Sequence, residues 1–335
     1  MKKTQNILTD SFGREHTYLR LSLTELCNLR CTYCMPAEGI QLSPRSHIMT
    51  FEEVFKIAKL FVDHGVTKIR LTGGEPLVRK DVEVVLNELS KLPVEISITT
   101  NAVLVDRYIE TLKKCNIKKI NVSLDTLDAQ KFKTITRRDN FEKVWNNIQL
   151  LIANDFEVKV NAVLMKGFNE NEIIDFIKLT KNLNIVSRFI EFMPFDGNQW
   201  NSDKLVSLSE IKDTVHAAFE ENQILRLQDA PNDTSKNYKI EGYKGSFAII
   251  SSVTNPFCDS CNRIRLTANG RIKNCLFSNT ETDLLTPFRT GEDIRPLIQK
   301  AIFKKFKTRG GMDTKEKFES PDLHGQNRSM ITIGG

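Results

Sequence analysis

Residues 19–36 read LRLSLTELCNLRCTYCMP. A β-rich run, LRLSLT, passes straight into a loop that carries Cys27, Cys31 and Cys34 at the spacing C-x3-C-x2-C. Five more β-rich runs follow: KIRLTG (68–73), EISITT (95–100), KINVSLD (119–125), EVKVNAVL (157–164) and VSRFIEFM (186–193). Helical patterns lie between them at 51–65, 82–92, 141–154 and 172–182. In the first helix Phe51, Val54, Phe55, Ala58, Lys59 and Val62 mostly keep the apolar spacing of a one-faced helix, with Gly65 closing it. Six strand–helix units predict a parallel sheet with right-handed crossovers. Eight would complete a (β/α)8 barrel. The predicted fold class is α/β, a partial (β/α)6 TIM-like barrel.

Beyond about residue 194 the pattern changes. A polar stretch, PFDGNQWNSDK, leads to a helix at about 208–220, then to less regular sequence holding Cys258, Cys261 and Cys275. A last helix at roughly 293–305 precedes a basic tail ending in Gly334-Gly335. The expected organisation is a barrel over residues 1–200 and a smaller C-terminal domain over 201–335.

The composition, 40% hydrophobic and 27% charged over 335 residues, is that of a globular chain without an apolar run long enough to span a bilayer. Residues 1–10 hold two lysines but no apolar signal core, so a cytoplasmic address is expected. The net charge of +6 fits either an ordinary basic surface or a preference for anionic partners, and composition does not choose between them. Six of seven cysteines fall into two tight groups, which in such a chain points to metal ligation over disulfides. Cys115 stands alone and reads as a small buried hydrophobe.

Three thiolates on one loop can hold three corners of a [4Fe–4S] cube and leave the fourth iron open to a substrate. Structural zinc prefers four ligands with paired C-x2-C ends, which the first group lacks. The second group, C-x2-C-x13-C, suits either a second three-cysteine cluster or a zinc site completed by another ligand. None of the five histidines lies within it. Arg263 and Arg265 follow Cys261 at alternate positions, so on an extended segment both face the same way.

Cys27 to Pro36, with Tyr33 before the third cysteine, and Gly73-Gly74-Glu75-Pro76 after the second strand together resemble the radical S-adenosylmethionine superfamily. Within it, the chain resembles along nearly its whole length the MoaA family, GTP 3′,8-cyclases of molybdenum cofactor biosynthesis. RLTGGEPL, SITTN, INVSLDTLD, VKVNAVLMKG, RFIEFMP, FCDSCNRIRLTANGRIKNCLF and the final Gly-Gly carry that likeness. It implies two [4Fe–4S] clusters, on Cys27, Cys31, Cys34 and on Cys258, Cys261, Cys275. It also implies S-adenosylmethionine beside Tyr33, Gly74, Ser123 and Met193.

For GTP the implied contacts are Arg20, Arg70, Thr99, Lys159, Arg263, Ile264 and Arg265, with Lys68 and Arg188 secondary. The implied catalytic residues are Arg263, Arg265, Gly334 and Gly335. The implied reaction removes hydrogen from ribose C3′ of GTP, joins C3′ to guanine C8 and yields (8S)-3′,8-cyclo-7,8-dihydroguanosine 5′-triphosphate. Implied partners are an external electron donor and a downstream cyclic pyranopterin monophosphate synthase, with no membrane, the chain being a monomer or homodimer. Like-charged residues on barrel strands are costly unless an anion sits among them, so they read as a triphosphate cradle.

Two other readings are weighed: a peptide-modifying enzyme of the same superfamily with two clusters, and a non-catalytic iron–sulfur protein binding nucleic acid through Lys304, Lys305, Lys307 and Arg309. The first needs no triphosphate cradle, and the second lacks interleaved stacking aromatics, so nucleic acid is not an expected partner. One departure from the family is Ala102, where glycine is usual after Thr99-Thr100-Asn101.

Overall fold

The computed structural model describes residues 6–35, 39–196, 198, 200–320 and 327–334. All six predicted strands form: β1 (Tyr18–Ser22), β2 (Lys68–Thr72), β3 (Glu95–Thr100), β4 (Lys119–Ser123), β5 (Glu157–Leu164) and β6 (Val186–Glu191). They pair in that order, all parallel. The helices α1 (Phe51–Asp63), α2 (Val82–Leu89), α3 (Ile109–Lys114), α4 (Ala129–Thr136), α5 (Phe141–Ala153) and α6 (Ile173–Asn182) lie between them. The α/β fold with a parallel, partial-barrel sheet is thus as expected.

Local sequence explains these elements. Helix α1 starts at a reciprocal cap: Thr50 Oγ1 accepts from Glu53 N, and Glu53 Oε2 accepts from Thr50 N. Its buried face is Val54, Ile57, Ala58 and Phe61, whereas Phe51, Phe55 and Val62 only flank the core. The expected face was therefore rotated, because apolar residues ring much of this helix and the sheet selects one stripe. In β1 and β2, Leu19, Leu21, Ile69 and Leu71 are fully buried beneath the helices, while Arg20 and Arg70 occupy the alternate positions.

The C-terminal half extends the same sheet on both sides. Strand β9 (Ser246–Ile250) lies parallel to β6, and β10 (Arg263–Leu266) lies parallel to β1. Eight parallel strands therefore run consecutively where six were expected. They do not close: β11 (Arg271–Lys273) and β12 (Thr282–Asp283) continue antiparallel beyond β10, as β8 (Lys236–Ile240) and β7 (Ile224–Arg226) do beyond β9. The change of pattern near residue 200 is real in sequence but does not divide the sheet. Helices α7 (Leu208–Ala218) and, further on, Arg295–Phe303 correspond to the two expected in this half.

Candidate active site

Register brings the charged residues together. Arg20 stands opposite Arg265 on one side and Arg70 on the other, and Arg70 opposite Ser97. One row thus crosses β10, β1, β2 and β3, with strands about 4.8 Å apart. A second row pairs Thr99 with Asn121 and Lys159, and a third pairs Ser123 with Asn161 and Arg188. Directly opposed like charges destabilise a sheet.

Members of these rows, Arg20, Arg70, Arg265, Thr99, Ser123, Asn161 and Arg188, wall a cavity of ≈ 350 Å³. Both cysteine groups open onto it, as do Arg20, Tyr33, Arg70, Gly74, Thr99, Ser123, Arg188, Met193, Arg263 and Arg265. Arg309 joins them, so six arginines face two carboxylates, Glu75 and Asp125. Not every expected residue is in the lining. Ile264 is fully buried in the hydrophobic core on the other face of β10, so its side chain is not a ligand contact. Lys68 pairs with Glu95 at 2.7 Å, away from the lining. Lys159 is half-buried on β5, outside the cavity wall itself. Gly335 lies outside the described residues, while Gly334 is held by Arg265, whose Nη1 donates to its carbonyl at 2.7 Å.

Burial governs the electrostatics. Desolvation, then the neighbouring arginines and lysines, lowers Arg188 to about 9 and Lys159 to about 8. Arg20 is lowered to about 10 by desolvation, with Arg70 and Arg263 adding to it. Tyr18 is pushed up by burial, but Arg70, Arg20, Lys68 and Arg263 outweigh this and hold its phenol below the usual range. Among the described residues, the buried atoms Arg188 Nε, Thr72 Oγ1 and Asn161 Oδ1 lack a hydrogen-bond partner. Such atoms are costly to bury and favour a polar ligand.

The first cysteine loop is fixed from several sides. Cys34 N and Met35 N both donate to the Cys31 carbonyl, and Arg137 Nη1 donates to the Arg30 and Met35 carbonyls. Gly74 passes beneath: a Cβ there would stand 2.5 Å from Leu26 O and 2.8 Å from Ile331 Cγ1. Glu75 accepts from Leu77 N, Thr100 Oγ1 and Asn101 N, at 3.0, 2.8 and 2.6 Å, and burial lifts its carboxyl to about 7. Tyr33 donates its hydroxyl to Asp125 Oδ2 at 2.8 Å. Burial raises Cys27 to about 11 and Cys34 to about 12, so thiolates here need a neutralising metal. Cys261 differs: burial pushes its thiol up, yet Lys305 and Arg263 win and hold it at about 6.

Sequence reasoning missed Asp125, Asn161 and Arg309 as wall residues, although Asp125 ends the quoted run KINVSLD. Ala102 adopts φ 60° and is fully buried, with Asn147 Nδ2 donating to its carbonyl at 2.7 Å. The turn therefore takes the left-handed conformation for which glycine is suited. Cys115 is buried against Asn87, as expected for a hydrophobe.

Residues 21–180 match the Radical SAM superfamily, and residues 185–310 match Molybdenum Cofactor Synthesis C. The mitochondrial GTP 3′,8-cyclase of Arabidopsis thaliana is 46% identical over 98% of this chain and 84% of its own length. The chain belongs to the GTP 3′,8-cyclase family. Membership of the radical SAM superfamily brings with it a [4Fe–4S] cluster and S-adenosylmethionine. A molybdenum cofactor biosynthesis protein of Caenorhabditis elegans is 46% identical over 90% of this chain and 51% of its own length. The chain thus spans about half the length of several curated relatives it matches. Streptococcus suis SuiB shares the fold, with a TM-score of 0.61 at 15% identity over 86% of this chain and 67% of that one. Among the described residues of this GTP 3′,8-cyclase family chain, no helix is long and apolar enough to cross a membrane.

Proposed function

We propose that the chain is itself a GTP 3′,8-cyclase, converting GTP to (8S)-3′,8-cyclo-7,8-dihydroguanosine 5′-triphosphate with two [4Fe–4S] clusters. The observation that carries this reading is one cavity onto which both three-cysteine groups open, with arginines in the same wall. Cys27, Cys31 and Cys34 would hold the first cluster, and Cys258, Cys261 and Cys275 the second. Bound there, the first cluster and S-adenosylmethionine supply one-electron cleavage chemistry and removal of the C3′ hydrogen.

The chain's own residues bind, orient and exclude. Tyr33, Gly74, Ser123 and Met193 all belong to the cavity lining and would together hold S-adenosylmethionine. Gly74 leaves room there because any side chain would strike the Leu26 carbonyl. Arg20, Arg70 and Arg188, with Lys159 behind them and Thr99 beside them, would grip the triphosphate through charge-assisted hydrogen bonds. Arg263 and Arg265, adjacent to the second cysteine group, would position the ribose and base. Arg265 also donates to the Gly334 carbonyl, and a tail held there would help exclude water during the reaction.

The reaction needs one electron for the cleavage and one, with a proton, to quench the cyclised nucleotide, so an external donor is a required partner. A synthase acting on the product and a cytoplasmic address belong to the same proposal. The peptide-modifying reading gains only a shared fold from SuiB, and the strand-borne arginines do not favour it. The nucleic-acid reading is weakened because Lys305 is 4% exposed and Arg309 stacks inward on Phe318 at 4.7 Å.

The test is anaerobic reconstitution, then iron counting and incubation with dithionite, S-adenosylmethionine and GTP. About eight irons per chain and GTP-dependent 5′-deoxyadenosine with a cyclised nucleotide are expected. Deoxyadenosine with GTP untouched would discard the cyclase, and about four irons plus zinc would discard the second cluster.

A further inference from the structure

The two cysteine groups share a cavity but not an electrostatic setting. Around the first, the described donors to Cys27 Sγ are neutral, Asn101 Nδ2 at 3.8 Å and the backbone amides of Asn28 and Leu29, and the carboxylates Glu75 and Asp125 lie beside the group. Around the second, Lys305 Nζ donates to Cys261 Sγ at 3.3 Å and to the Arg263 carbonyl at 2.8 Å. Arg309 N donates to Cys258 Sγ at 3.5 Å. Lys305 follows the helix Arg295–Phe303 and is 4% exposed, so its ammonium is largely withdrawn from water.

That placement is built. Arg14 Nη1 donates to the Cys258 carbonyl at 2.7 Å and to the Lys307 carbonyl at 2.9 Å, and its Nη2 donates to the Phe306 carbonyl at 2.9 Å. Asp10 Oδ2 holds Arg14 Nε at 2.6 Å. One arginine thereby ties the segment bearing Lys305 to the loop bearing Cys258. Hydrogen bonds and charge at cluster sulfurs set reduction potential, a nearby cation favouring the more negative, reduced form.

We propose that Lys305 is a positioning residue that tunes the second cluster, holding its reduction potential above the value it would have without this charge. The inference rests on the second-cluster reading of Cys258, Cys261 and Cys275. It separates the two centres: a carboxylate-lined one suited to strong reduction, and a cation-capped one that stays easier to reduce beside the substrate.

The test uses the full chain with Cys27, Cys31 and Cys34 each replaced by alanine, so that only the second group can load. Reconstituted protein is assayed for iron, then titrated by dithionite under electron paramagnetic resonance. With Lys305→Met, iron stays at about four per chain. At the potential that half-reduces the parent, the reduced-to-oxidised ratio is expected to fall about tenfold, a midpoint lowered by about 59 mV for one electron. Lys305→Arg restores the parental midpoint. In the chain with all six cysteines, one of two titrating signals should shift and the other stay. An unchanged midpoint with iron retained overturns the proposal, as does loss of iron in both Lys305 variants, which would make the residue structural. Failure of the parent itself to take up iron overturns the second-cluster reading instead.

Discussion

Replacing Gly334 by alanine should dislodge the C-terminal tail while leaving both cysteine groups untouched. Gly334 ends the short helix Met330–Ile333 with φ 83° and ψ 87°. A Cβ there would stand 2.7 Å from Thr72 Oγ1 and 2.8 Å from Ser22 Cβ. Ser22 and Thr72 are register partners at the ends of β1 and β2, so the sheet fixes them and the tail must move. The left-handed backbone costs an L-residue about 1–2 kcal/mol. Moving away also breaks the charge-assisted bond from Arg265, worth about 1.5–3 kcal/mol. Together, about 2.5–5 kcal/mol lowers the docked population roughly 10²- to 10⁴-fold. Hydrogen exchange over residues 327–334 should accelerate accordingly, and GTP-dependent 5′-deoxyadenosine should fall, with iron content unchanged. Wild-type protection together with wild-type turnover in Gly334→Ala would refute the docking of this tail as a catalytic element.

Three further outcomes follow from the charges in and around the cavity. Lys159 is depressed from 10.5 to about 8 by burial and then by Arg188 and Arg70, so its neutral form favours the fold above 10.5 and that contribution is lost as pH falls through 8. A triphosphate prefers the ammonium, so affinity for a GTP analogue, measured calorimetrically, should weaken from pH 8 upward, and Lys159→Met should flatten that limb. Arg188→Met should cost about tenfold or more in affinity, yet leave Tm equal or higher because it removes a buried like charge. Lys68→Met should change affinity less than about twofold, since Glu95 already engages Lys68; equal losses in these two variants would mean the cradle is misplaced. Arg328 bridges Glu25 at 3.3 Å and Glu281 at 3.2 Å and donates to the Thr332 carbonyl at 3.0 Å. Arg328→Met should therefore lower stability by about 1–3 kcal/mol in denaturant titration, and no change in the midpoint would show that these pairs do not fasten the tail.

The six central strands were legible because each is a short apolar run bounded by helical pattern, and the charges on them were legible because they interrupt that run. Arg263 and Arg265 share the cavity wall as alternate residues on an extended segment should. What stayed hidden was long-range pairing. SFAII joins the parallel sheet through β6, Ser246 pairing with Val186, and RIRL through β1, Arg263 pairing with Tyr18; no local spacing announces partners so distant in the chain. Lys305 and Arg309 read as part of an exposed basic run, because the thiols and carbonyls that receive them lie on other loops. Ile264 shows the converse limit: a motif match carried it along with its arginine neighbours, while the pleat turned it into the core.

This pairing also explains why neither half of the chain contains the site. The first thiol group follows β1, whereas the second flanks β10 (Cys258 and Cys261 before it, Cys275 after β11), and β10 lies against that same first strand. Register then sets Arg265 beside Arg20, so the row of guanidiniums exists only once the C-terminal half has docked. Before docking, each arginine is hydrated; afterwards they are opposed in a low-dielectric chamber with unpaired atoms such as Arg188 Nε. The folded protein therefore carries an electrostatic cost in this chamber, which the proposed binding of a polyanion would relieve. Ligand binding and the seating of the C-terminal strands and tail are, on this argument, one linked equilibrium.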